Sequence, residues 1–231
     1  MIARNAMIFN MNDIVYEDND ILVVNKLAGV SVQVDARSTE NTILDEVKKT
    51  YPEAMLAHRL DKNTSGLLMI AKNQAAQEYV NTLFKERRVK KIYITLVSGV
   101  VSKDEGVITL SIARSKKDFR KRVASPRLVE GARFAETHFK VLQRYHDYTL
   151  LEVSPKTGRT HQIRSHLASI GYPVACDQLY GGKKYMCPQG LERQFLHAAG
   201  LEFVTCDGKH INLEVELPSD LKQALEILKM P

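Results

Sequence analysis

The chain has 231 residues, 44% of them hydrophobic, and a formal net charge of +6. That length can bury a full core as one large domain or two small ones, and no apolar run approaches the roughly 20 residues of a membrane-spanning helix, which excludes a helical membrane protein. The charge moderately favours a polyanionic partner. The three cysteines, Cys176, Cys187 and Cys206, match neither a disulfide framework nor a zinc pattern and read as buried or idle thiols in a reducing cytosol.

Residues 1–12 read as a loosely ordered lead-in, with no apolar core ahead of a cleavage site and so no secretion signal. Ile14-Val15-Tyr16 and Ile21-Leu22-Val23-Val24 flank the polar Glu17-Asp18-Asn19-Asp20, a hairpin signal. Residues 42–51 read as a short helix with Ile43, Leu44 and Val47 on one face and Pro52 beyond its end. Next comes His58-Arg59-Leu60-Asp61-Lys62-Asn63-Thr64-Ser65-Gly66, running straight into apolar Leu67-Leu68-Met69-Ile70-Ala71. An apolar run of that length bounded by turn residues reads as a buried strand. Asp61 is therefore expected on a loop held by a rigid strand, a good place for chemistry, and Arg59 beside it favours the charged carboxylate. The competing reading is a surface ion-pair turn capped by Thr64-Ser65-Gly66. A kinase catalytic loop is rejected: the order is His-Arg-Leu-Asp, no glycine-rich phosphate loop precedes it, and Asp118-Phe119 is followed by Arg120 instead of glycine.

Asn73 is a candidate cap for a helix with Ala76, Tyr79, Val80, Leu83 and Phe84 at helical spacing and Lys85, Arg87 and Arg88 in its last turn. Residues 91–97 alternate like a strand and end at Ser98-Gly99, which makes Tyr93, taken alone, an ordinary strand tyrosine. Residues 107–113 read as another strand. Arg114-Ser115-Lys116-Lys117-Asp118-Phe119-Arg120-Lys121-Arg122 follows, strongly basic with one aromatic. Cations concentrated between strands suit RNA-backbone contact better than a merely solvated loop. Residues 135–145 and 148–153 look like a hairpin turning at His146-Asp147. Thr157-Gly158 makes a turn, and Thr160 reads as the cap of a helix opening with His161, Gln162 and Arg164. Such an N-terminus suits anions, and Arg159 and Arg164 add charge of the same sign. His161 and His166, five apart, fall on different helix faces, so no metal is assigned. Asp177-Gln178-Leu179-Tyr180-Gly181-Gly182 is turn-rich, Phe195-Leu196-His197-Ala198 starts a strand, Cys206-Asp207-Gly208 turns a hairpin, and Ser219 caps a last helix with Leu221, Leu225 and Leu228 on one face. With no linker or repeat, a single domain over residues 1–231 is expected, in the α/β (α+β) class: an extended mixed, largely antiparallel sheet with flanking helices.

Three of these segments resemble the RluA family of RNA pseudouridine synthases: His58-Arg59-Leu60-Asp61 with its Thr-Ser-Gly turn, the Lys91-x-Tyr93 strand ending in a glycine turn, and Gly158-Arg159-Thr160-His161-Gln162-Ile163-Arg164. The resemblance runs from Ile14 to about Phe203. It departs from the family at Leu27, where a proline is usual, which leaves that loop less rigid. It implies the pseudouridine synthase fold with a central active-site cleft; for the separate N-terminal RNA-binding domain that many members carry, no room is expected in this chain. It implies a catalytic set of Asp61, Tyr93 and Arg164: Arg164 pairing with the aspartate, Tyr93 packing against the target base, and Ile163 and Leu196 walling the uracil pocket.

The reading that results is site-specific isomerisation of uridine to pseudouridine in structured RNA. The base flips out of its stack, Arg59 fills the gap by stacking its guanidinium plane, and Asp61 attacks the ribose or takes a proton from it. The remaining RNA-binding candidates are His58, Arg159, Thr160, His161 and Gln162, with Lys116, Lys117, Arg120, Lys121 and Arg122. Isomerisation gains and loses no atoms, so neither cofactor nor metal is implied. The expected partner is ribosomal RNA, transfer RNA or both, in the cytoplasm, with no membrane and no obligate protein partner. The alternatives are a non-catalytic RNA-binding or chaperone module using the same basic cleft and a small-molecule hydrolase with an aspartyl nucleophile.

Overall fold

A computed structural model describes residues 13–33, 41–126 and 130–229; the lead-in expected over residues 1–12 lies outside the described residues. In chain order the elements are β1 (Ile14–Glu17), β2 (Ile21–Lys26), α1 (Ile43–Thr50), β3 (Met55–Leu56), β4 (Ser65–Ala71), α2 (Gln74–Lys85), β5 (Lys90–Ser98), β6 (Glu105–Thr109), β7 (Ser111–Arg114), β8 (Arg122–Ser125), β9 (Glu136–Arg144), β10 (Tyr148–Pro155), α3 (Gln162–Ser169), β11 (Leu196–Val204), β12 (His210–Glu214) and α4 (Ser219–Lys229). They fall into two compact units, Met1–Val89 with Leu201–Val215, and Lys90–Gly200 with Glu216–Pro231. Both are α+β, and every strand pair defined in them below is antiparallel.

In the first unit β1 and β2 form the expected hairpin, Glu17 facing Leu22. Its polar turn closes because the Asp18 carboxylate accepts the backbone N–H groups of Asp20 and Ile21 at 2.8 and 2.6 Å, an Asx turn. β2 pairs with β4, and β3 with β4 from the other side. All seven residues of β4 are buried, which explains its unbroken apolar sequence: a strand covered on both faces has no solvent side to mark by alternation. α1 begins with a reciprocal capping box between Thr42 and Asp45. α2 begins at Asn73, whose side chain accepts from the Ala76 N–H at 2.8 Å. The last turn of α2 differs from the expectation. The helix stops at Lys85, and Arg87 turns the chain with φ 60°, so Arg87 and Arg88 lie past its end. Val80 and Leu83 of α2 pack on Ile21, Val23, Leu67 and Met69, with Val89, Leu201 and Phe203 completing the cluster. At about 1.5–3 kcal/mol for each large side chain buried, β4 cannot move without exposing several of them.

In the second unit the strand order is β5-β10-β9-β6. The hairpin turning at His146-Asp147 forms as expected, with Thr149 opposite Arg144, and Tyr93 of β5 faces Val153 of β10. The single strand expected over residues 107–113 is instead two. β6 joins β9, and after Leu110 the chain leaves to form β7, which pairs with β8 in a separate hairpin. Leu110 N donates to Ala135 O and its carbonyl is held by His166, so the break is built in. A second core gathers Leu96, Tyr148, Leu150, Ala175, Phe195, Leu221 and Ala224. The strand expected to start at residues 195–198 runs through to Val204 as β11. Two of the three cysteines also differ from the thiol reading. Cys176 and Cys187 are joined in a disulfide, because the loop between them folds back until Cys176 N donates to Met186 O at 2.8 Å. Cys206 is free and exposed. No helix among the described residues is long and apolar enough to cross a membrane.

Candidate active site

The main chain of the loop carrying Asp61 is fastened at several points. Thr64 N donates to Asp61 O at 2.9 Å, closing a tight turn straight into β4. Lys62 O, one residue on, accepts from Gly29 N at 2.9 Å and from the Lys26 ammonium at 3.1 Å. Lys26 is only 1% exposed. Its Nζ also donates to the carbonyls of Leu27 and Val30, at 2.8 and 3.0 Å. Its three N–H donors thus tie the exit of β2 to the Asp61 loop, a fitting use of a buried ammonium. His58 Nε2 accepts the Met69 N–H at 3.0 Å, and its ring lies 5.2 Å from that of Phe84. Nε2 of the His58 ring therefore fastens the loop to β4. Leu60 is buried, Asp61 half-buried and Arg59 exposed.

The other expected site residues lie in the second unit. Tyr93, Ile163 and Leu196 are 8%, 6% and 4% exposed, compatible with core or pocket lining. Lys91, two residues before Tyr93, was not among the expected site residues. Burial pushes its ammonium down to about 8, with Arg159 and Lys156 adding repulsion.

The start of α3 differs from the sequence expectation. Thr160 does not cap it. The N-cap is His161, in the left-handed region at φ 55° with no side-chain cap bond. The position is held instead by Gln162, which is buried. Its Oε1 accepts from Thr157 Oγ1 and Arg159 N at 2.7 and 2.9 Å, and its Nε2 donates to Glu136 O and Thr137 Oγ1. With all its bonding capacity used, Gln162 locks the first turn and leaves no work for a threonine cap.

Arg164 follows on the inner face of α3. It is a buried arginine, 6% exposed, and not a surface one. Its Nε and Nη2 donate to the two oxygens of Asp177 at 2.6 and 2.9 Å. Tyr180 lies beneath, its ring centroid 5.1 Å from the guanidinium carbon. The Tyr180 hydroxyl accepts the Arg122 N–H at 2.7 Å and meets His161 Nδ1 at 3.0 Å. Arg122, some forty residues upstream, is thus brought together with His161 and Arg164 on one tyrosine. Sequence reasoning missed Asp177 and Tyr180; the only signal was a turn-rich loop carrying an acid three residues before an aromatic.

Arg122 opens β8, so the basic segment is a defined β-hairpin tip. Ser115 Oγ accepts the N–H groups of Lys117 and Asp118, both at 3.2 Å. Arg120 grips Asp118 through Nε and Nη2 and holds that carboxyl down to about 2. Asp118, the one acid of the tip, is therefore neutralised, while Lys116, Lys117 and Arg120 stay exposed. Phe119 is 60% exposed among them.

A family model described as RNA pseudouridylate synthase matches residues 20–169. The chain belongs to that family. It is 37% identical to an uncharacterized RNA pseudouridine synthase of Bacillus subtilis, YlyB, over 94% of this chain and 73% of the relative. It is also 37% identical to ribosomal large subunit pseudouridine synthase D of Neisseria meningitidis serogroup B, over 94% of this chain but only 61% of that protein, so it spans less than two thirds of that relative's length. Among solved structures, human RNA pseudouridylate synthase domain containing 1 matches at TM-score 0.78 and 29% identity, over 92% of this chain and 86% of that one. As a pseudouridine synthase the protein is an isomerase that converts uridine in RNA to pseudouridine.

Proposed function

We propose that this pseudouridine synthase works through Asp61, with Tyr93 and Arg164, on ribosomal RNA in the cytoplasm, as a single catalytic domain. The observation that carries the reading is the fastening of the Asp61 loop. Lys26 and Gly29 hold Lys62 O ahead of the buried β4, and His58 pins the chain three residues before Asp61 to Met69, so both sides of a half-buried carboxylate are fixed, the preorganisation that a group acting on a sugar carbon needs. The ribosomal substrate is suggested by the names of the relatives, large-subunit synthases D and C; transfer RNA is the other target compared in the test.

In the proposed reaction the target base flips out, at a cost of a few kcal/mol, and Arg59 stacks in the space it leaves. Asp61 acts on the ribose and the bond from the sugar to N1 breaks. The uracil turns and C5 takes up the sugar; the proton leaving C5 balances the one gained at N1. Tyr93 packs against the base. Ile163 and Leu196 keep water from the detached uracil, which would otherwise be lost to hydrolysis. Asp177 holds Nε and Nη2 of Arg164, and the guanidinium so held is read as the cationic partner of the catalytic carboxylate. Lys116, Lys117, Arg120, Lys121 and Arg122 contact phosphates, and Phe119 offers a face for base stacking, an interaction worth about 1–3 kcal/mol.

The test maps pseudouridine in ribosomal and transfer RNA treated with wild-type protein and with Asp61→Asn. The variant is expected to bind RNA with wild-type affinity and lose turnover by about 1,000-fold or more, the upper range for a removed acid–base group. Turnover within a few-fold of wild type would end the assignment to Asp61. New pseudouridine in transfer RNA alone would move the substrate.

A further inference from the structure

We infer that Asp177 and Tyr180 are positioning residues for this isomerisation, acting by cradling Arg164; the inference rests on the reading of Arg164 as partner of the catalytic carboxylate. Asp177 is 1% exposed and binds Arg164 through both oxygens. Its Oδ1 is shared: it also accepts the N–H groups of Leu179 and Tyr180 at 3.0 and 3.1 Å. One carboxylate therefore shapes the turn that carries Tyr180 and grips the guanidinium that lies over the Tyr180 ring. The turn itself is closely packed. Gly181 N donates to Asp177 O at 2.8 Å, and a Cβ on Gly181 would meet that same oxygen at 2.9 Å and the Tyr185 ring at 2.8 Å. The backbone bonds converge on Asp177, and the ion pair and ring contact pass that order to one side chain of α3, Arg164.

A buried arginine needs a carboxylate merely to be tolerated, so stability alone would explain one acid. It does not explain a bidentate grip combined with an aromatic floor, which fixes the plane of the guanidinium as well as its position. A fixed plane matters to a group that must present its remaining N–H donors at a set angle. Misplacement by about 1 Å costs on the order of 100-fold in rate.

The experiment is a double-mutant cycle of Asp177→Asn and Arg164→Met, with single-turnover rates and RNA binding measured on full-length protein well below each melting temperature. Asp177→Asn is expected to slow the reaction about 100-fold with Kd for RNA within about threefold of wild type. In the Arg164→Met background the same change is expected to do nothing further to the rate. Independent, multiplying losses would overturn the inference, and so would a wild-type rate in a less stable Asp177→Asn, since Asp177 would then only hold the fold. A wild-type rate in Arg164→Met would instead sink the reading of Arg164 itself. Tyr180 supplies the arm that survives if Asp177→Asn does not fold. Tyr180→Leu is expected to lose about tenfold in rate, and Tyr180→Phe, which keeps the ring, to recover most of it. A phenylalanine variant as slow as leucine would overturn the role of the ring.

Discussion

The two units hold their proposed reactive side chains by opposite means. In the first, the loop of Asp61 is held at its main chain: a tight turn, two bonds to Lys62 O, one of them from the Lys26 side chain, and a strand buried on both faces. In the second, Arg164 is set by other side chains, Asp177 and Tyr180 around it and Gln162 locking the first turn of its helix. A nucleophile or base needs one oxygen at one place, which backbone bonds can give. A guanidinium on a long flexible stem must be gripped at its far end, because fixing its Cα leaves several torsions free.

The largest effect that would break the comparison lies at Lys26. If the Asp61 loop is held through its main chain, Lys26→Met removes the donor shared by three carbonyls, taking it from Leu27 O and Val30 O and leaving Lys62 O with Gly29 N. The expected loss is about 2 kcal/mol of stability, from the hydrogen bonds lost by Leu27 O and Val30 O, measured by urea unfolding. Turnover is expected to fall at least tenfold as the loop loosens, with RNA affinity unchanged. A variant as stable and as active as wild type would show that the turn and β4 suffice without the ammonium.

This contrast explains what was legible in the sequence. The Asp61 loop could be read because its determinants are consecutive: a charged cluster, a Thr-Ser-Gly turn and an apolar strand within thirteen residues, 58–70. The caps at Thr42 and Asn73 are local and were legible for the same reason. The Arg164 cradle was not, because Gln162 meets Glu136 and Thr137, and Arg164 meets Asp177, across separations that no periodicity encodes. Thr160 drew the cap assignment because threonine is a good cap in general. The structure prefers Gln162, whose longer side chain reaches the strand as well as the turn. The break at Leu110 was hidden likewise: Val107, Ile108, Ile112 and Ala113 carry strand-like sequence on both sides of it, and only His166, from α3, takes its carbonyl.

A second, smaller effect sharpens the comparison within the second unit, where side chains at the hairpin tip face solvent in place of a buried partner. Replacing Lys116, Lys117 and Lys121 together with glutamine is expected to leave folding and the chemical step unchanged and weaken RNA binding. The logarithmic slope of affinity against salt should shrink by about 2, at roughly 0.7 for each single-strand phosphate that is no longer neutralised. A slope identical to wild type would remove the hairpin from the path of the RNA.

The smallest effect concerns the same side-chain network and is confined to acid pH. His166 has no exposed surface. Its Nε2 lies 3.1 Å from Leu110 O and its Nδ1 2.9 Å from Thr137 Oγ1. Gln162 Nε2 donates to that hydroxyl, so the chain is consistent with a neutral ring: Gln162 to Thr137, Thr137 to Nδ1, and Nε2–H to the Leu110 carbonyl. Burial holds the imidazole below its ordinary value, the Leu110 carbonyl opposing in part. A group whose folded pKa lies below its unfolded one stabilises the protein fully above the unfolded value, 6.5, and loses that contribution as pH falls through the folded one. Stability should therefore fall on acidification below about 6.5, because a second N–H on the ring would oppose the Thr137 hydroxyl and disturb the lock on α3 that Gln162 provides. His166→Gln, which cannot take up a proton, is expected to lower stability at neutral pH and to flatten this limb. An acid limb of unchanged slope in that variant would show that the loss arises elsewhere, and that the network holding Arg164 is indifferent to the protonation of its one buried imidazole.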